Sequence, residues 1–133
     1  MRCPHPWLAL RLSPLLAAGA TIALGLLWRS HRLPLPPSVA KYGGDVLWAL
    51  MVFFLVRAAS PRLSLRAGSA VALAFCWLIE LSQLCRAPWI EAIRHTRLGH
   101  LLLGSTFNPP DLLAYAAGVG LGALLTWSAI RAR

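Results

Sequence analysis

The sequence predicts an all-α integral membrane four-helix bundle, with a short interfacial helix between the third and fourth spans. Three observations carry that expectation. Residues of the AVILMFWYC set make up 58% of the 133-residue chain. Charged residues make up only 13%, against roughly 25% in a soluble globular domain. The apolar residues fall in four runs, each of which extends to about the 20 residues a spanning helix needs. Mean hydropathy is +0.64, and lipid is the solvent that such a chain suits. Residues 1–133 are read as a single membrane domain.

The first span is expected at about 12–28, between Arg11 and Arg29, with Ser13 and Pro14 as its start. Proline suits a helix start because the donor it lacks would be unpaired there anyway. A basic start and an apolar core also fit a secretory signal. No convincing small-x-small site follows that core before Arg29, so a retained helix is expected. The second and third spans, about 42–60 and 66–85, are longer than their charge-free cores. Asp45 and Glu80 are thereby drawn toward the membrane, and Arg57 is expected to extend its head to the interface. The fourth span, about 111–130, opens at Asp111. It carries Ala114, Gly118 and Gly122 at four-residue spacing, a small-residue stripe for close helix packing.

Of the connections, 29–41 is proline-rich and 86–110 is too long for a plain linker. Within the latter, Pro88 marks a helix start. Trp89, Ile90 and Ile93 share one face, with Glu91, Arg94, His95 and Arg97 on the others. That pattern predicts an interfacial segment over about 88–103.

The formal net charge is +9. The basic residues lie between apolar runs rather than along one polar face, which argues against nucleic acid as a partner and for membrane lipids. Cys76 and Cys85 would lie about 13 Å apart on one helix, too far to bridge. Cys3 is expected near the opposite membrane face. Glu91, His95 and His100 do not make a metal site, since three reliable ligands are not evident. No Gly-rich phosphate loop or nucleophile elbow occurs, so no cofactor is expected. Flanking basic residues divide seven to six between the two faces. That excess of one barely engages the positive-inside rule, and on it both termini are expected on the cytoplasmic side. Oligomeric state is not legible.

Four spans place the start of the second, the end of the third and the start of the fourth on one face. Asp45, Glu80, Gln83 and Asp111 therefore gather there, with Arg86, Arg94, Arg97, His95 and His100 on the connection beside them. Asp45 and Asp111 also fit helix-start carboxylates, which the helix dipole favours. Glu80 sits toward a helix C-terminus, where the dipole disfavours an anion, and in lipid a charge is costly. It is expected to face the bundle. It could do so as the partner of Arg94 or Arg97, as a protonated acid bonded to Gln83, or as a functional group. Glu80 and Gln83 are i,i+3 and share a face.

The stretches KYGGDVLWAL, WLIELSQL and HTRLGHLLLGSTFNPPDLLAYAAGVGLG resemble an uncharacterised bacterial family of small integral membrane proteins. It is a domain of unknown function, sometimes labelled YjgA-type. On this resemblance Asp45, Glu80, Gln83, Arg97, Gly104, Phe107, Asp111, Tyr115 and Gly118 fall at family-motif positions. The order E-x-x-Q, then Arg, then Asp opening a Gly-rich helix resembles VanZ-like proteins. Their name-giving member is associated with low-level glycopeptide-antibiotic resistance. Neither resemblance implies a mechanism. The candidate polar site is therefore Asp45, Glu80, Gln83, Arg94, Arg97, Asp111 and Tyr115. Three readings of it are open: a site for a lipid or lipid-linked headgroup, a membrane-embedded enzyme acting on such a substrate, and a proton or small-solute transporter.

Overall fold

A computed structural model describes residues 6–30, 32–104 and 106–132; Arg2, Cys3 and Arg133 lie outside them. The described chain is all-helical: α1 (Pro6–Arg29), α2 (Pro37–Ala59), α3 (Leu65–Ser82), α4 (Pro88–Arg94), α5 (Arg97–Leu103) and α6 (Pro109–Arg131). Four of these, α1, α2, α3 and α6, are long and apolar enough to cross a membrane. At 1.5 Å per residue, the 23 residues of α2 and of α6 reach about 35 Å, enough for the ~30 Å hydrocarbon layer.

Two helices start more than a turn earlier than the sequence suggests. Pro14 lies inside α1 rather than at its head. In an apolar solvent an unpaired backbone costs more than a proline interruption, so the helix continues through it. α2 starts at Pro37, with Pro36 as its N-cap. Asp45 is thus two turns inside the helix and not in its first turn, which overturns the helix-start reading for that residue. α3 starts with Ser64, whose Oγ accepts from the Ala67 N–H at 3.1 Å. The expected single helix over 88–103 is two. Thr96 caps α5 by accepting from the Gly99 N–H at 3.0 Å, and the chain turns there.

α2 is the centre of the bundle and packs against α1, α3 and α6, while α6 also packs on α3. The core holds Ala49, Val52, Phe53, Ala72, Cys76, Tyr115 and Val119. The Ala114–Gly118–Gly122 stripe faces α2. A Cβ at Gly118 would lie 2.8 Å from the Ala49 Cβ, and one at Gly122 would run into the Phe53 ring. Only glycine allows that approach. Leu78, Leu113 and Leu124 point outward and are exposed, as a lipid-facing surface requires. At the end of the bundle away from Asp45, Arg57 donates to the Leu63 carbonyl at 2.6 Å in the α2–α3 turn.

Candidate functional site: a polar cluster at one end of the bundle

Glu80 is fully buried on the last turn of α3. Its Oε1 accepts from the Asn108 backbone N–H at 2.7 Å. Its Oε2 accepts from the Tyr115 hydroxyl at 3.0 Å and from Gln83 Nε2 at 3.3 Å. All three donors are uncharged: of the partners the sequence offered Glu80, Gln83 is bonded to it, and Arg94 and Arg97 are not. What the α3 dipole withholds, these donors supply: hydrogen bonds to a carboxylate contribute about 1.5–3 kcal/mol each when buried. The network ties α3 to α6 and to the segment that leads into α6.

A second group lies beside it. Lys41, on the first turns of α2, donates to Asp45 Oδ2 at 3.3 Å and also bonds Asp111 Oδ1. Asn108 Nδ2 donates to the same Asp111 oxygen at 2.6 Å. Asn108 therefore joins both groups, its backbone serving Glu80 and its side chain Asp111. Tyr115 closes the arrangement: its ring tilts against Trp48 at 5.7 Å while its hydroxyl bonds Glu80.

Asp45, Glu80, Gln83, Asp111 and Tyr115 all line one cavity of about 430 Å³. Arg29, Lys41 and His100 line it as well, and Leu101–Leu103 of α5 supply an apolar side. Arg29 and His100 are exposed. Gly104 adopts φ +64°, a left-handed conformation that glycine takes freely. This ends α5 and sends the chain back toward Asn108. A Cβ there would come within 2.6 Å of Gln83 Nε2.

Arg94 and Arg97 do not join the cluster. Arg94 is buried and turned back on α3, donating to the Ser82 carbonyl at 2.5 Å, the Cys85 carbonyl at 2.8 Å and Glu91 at 2.9 Å. It satisfies carbonyls that a helix C-terminus leaves bare, where the dipole also favours a cation. Arg97 is exposed and outside the cavity lining. Sequence reasoning missed Lys41, Asn108 and Arg29. The Lys41–Asp45 spacing of four was the available signal once α2 starts at Pro37. Among the described residues no group of three His, Cys, Asp or Glu could hold a metal ion. Cys76 and Cys85 are free thiols.

Four helices fit to span a bilayer, with a polar network enclosed at one end, define a multi-pass membrane protein. Fold and network together do not name an activity. The family model of DUF2809, a protein family of unknown function, matches residues 35–119, and the chain belongs to that family. The match runs from ahead of α2 into the middle of α6, so it takes in every cluster residue named above except Arg29. It carries neither the YjgA-type nor the VanZ-like label. No solved structure matches the chain.

Proposed function

We propose that the cavity binds the phosphate-bearing headgroup of a membrane lipid or lipid-linked molecule. The observation that carries this reading is Arg29. It is an exposed guanidinium with no ion pair among the described residues, and it lines the same cavity as the buried Glu80–Gln83 pair. Guanidinium groups grip phosphate through two parallel N–H bonds, and the leucines of α5 offer an apolar path beside it for a chain. Arg94 and Arg97 have no part in it, for the reasons of geometry given above.

The same geometry argues against Glu80 as a general acid or base. Both of its oxygens already accept from protein donors, so it reads as an anchor that holds the cavity wall. The cluster also sits at one end of the bundle, which suits a headgroup better than a transport path.

The test is Arg29→Ala in the purified full-length protein, with co-purifying lipid measured by mass spectrometry. The expected result is a severalfold loss of bound phospholipid at unchanged helicity. Unchanged lipid would refute the reading. The proposal places the chain in a bacterial inner membrane with both termini cytoplasmic, which C-terminal reporter fusions test directly.

A further inference from the structure

We infer that the headgroup this cavity admits ends in a hydrogen-bond donor, an ammonium or a hydroxyl, that reaches Gln83 Oε1 while its phosphate stays nearer the mouth. The inference rests on the headgroup reading above and specifies its ligand.

Glu80 sets the orientation of the Gln83 amide. Glu80 Oε2 accepts from the Gln83 NH₂ group at 3.3 Å, so the NH₂ group points there; opposite a carboxylate, turning the amide would set two acceptors against each other. The other end of the amide is then an acceptor. That atom, Oε1, is buried and has no partner among the described residues, on a residue only 6% exposed. Buried acceptors are nearly always matched, because stripping one of water without replacement is costly. Gln83 lines the cavity, where an entering donor can meet it.

The charges point the same way. Asp45, Glu80 and Asp111 line the cavity, and Lys41 is shared between two of these three carboxylates. The inner part therefore suits a donor and repels a second anion. Exposure rises outward from there: Glu80 is at 0%, while the Lys41 side chain is 46% exposed and Arg29 and His100 are also exposed. A headgroup enters with its donor end toward Gln83 and its phosphate toward Arg29. Choline has no N–H to donate and should be disfavoured.

The experiment presents the wild-type full chain in detergent with equal amounts of phosphatidylethanolamine, phosphatidylglycerol and phosphatidylcholine carrying identical acyl chains. Bound species are counted by native mass spectrometry. One or both of the first two should bind about fivefold or more tighter than phosphatidylcholine, the ratio expected when a buried acceptor is satisfied rather than left bare. Preference for the ethanolamine lipid assigns an ammonium, and preference for the glycerol lipid a hydroxyl. In Gln83→Leu that preference should collapse. Equal binding of all three lipids by the wild type overturns the donor inference. If Arg29→Ala still weakens all three in that case, the headgroup reading stands without it. Binding of none, or no effect of Arg29→Ala on any, removes the headgroup reading itself.

Discussion

Tyr115→Phe isolates one bond of the Glu80 network. The ring stays, so its packing against Trp48 and its place in the core are kept. What is lost is the hydroxyl that donates to Glu80 Oε2 at 3.0 Å. Glu80 then retains two donors, the Asn108 N–H and Gln83 Nε2. A buried hydrogen bond to a charged group contributes about 1.5–3 kcal/mol, and the surviving donors hold the loss to the lower part of that range, about 1.5–2 kcal/mol. Burial leaves little room for water to compensate. Equilibrium unfolding in mixed micelles of rising SDS content, followed by helical circular dichroism, measures it. Glu80→Gln replaces one carboxylate oxygen with an amide nitrogen, so the Tyr115 hydroxyl and the Gln83 amide must turn to accept from it, and it should cost a comparable amount. The double variant should cost less than the two singles added, by a coupling of about 0.5–3 kcal/mol. Tyr115→Phe within 0.5 kcal/mol of wild type, or strict additivity with Glu80→Gln, would refute the account of Glu80 as a hydrogen-bonded anchor.

Other substitutions test the neighbouring elements. Gly118→Ala forces a methyl against Ala49 and the Val46 carbonyl, and should destabilise the bundle by about 1–3 kcal/mol through overpacking. Gly120→Ala, two residues away, meets nothing within 4 Å among the described residues and should be neutral or stabilising by up to about 1 kcal/mol. The pair compared in one unfolding series checks which face of α6 carries the packing. Arg94→Ala bares the Ser82 and Cys85 carbonyls and should cost about 1–3 kcal/mol. It should leave the phospholipid content unchanged, which mass spectrometry reads. In a cysteine-free background, single cysteines at Ser38 and Thr106 should label from the same side of the membrane; labelling from opposite sides would dismantle the cluster's topology.

The fold was largely legible because lipid imposes one demand that composition can answer: long apolar runs must be helices. The gathering of Asp45, Glu80 and Asp111 was legible for a related reason, since alternating spans decide which helix ends share a face. The partners within the cluster were not. Glu80 is held partly by the backbone N–H of Asn108, a group every residue but proline carries, and its position depends on the path the chain takes after Gly104. Arg94 looked available for Glu80 because α3 was expected to run to about 85. The helix ends at Ser82, and its bare carbonyls claim the guanidinium instead. Lys41 was hidden by the prolines before it. They read as a break in structure, whereas Pro36 and Pro37 in fact begin α2.

The two halves of the network have different chemistry, and this separates stability from recognition. Around Glu80 every oxygen is matched by protein, so substitutions there should lower stability without changing which lipid is preferred. At the Gln83 Oε1 and Arg29 ends, groups lining the same cavity have no partner among the described residues. Among the described residues neither group's free end contributes a hydrogen bond to the fold, so substitutions that alter those ends should act chiefly on ligand preference. Gln83 belongs to both halves: its Nε2 holds Glu80 and its Oε1 faces the ligand. Gln83→Leu should therefore show both effects at once, a loss of stability comparable to Tyr115→Phe together with a loss of headgroup selectivity that Tyr115→Phe lacks. Selectivity lost equally in both variants would mean that the cavity responds as one unit, and that donor recognition has no separate seat at Gln83.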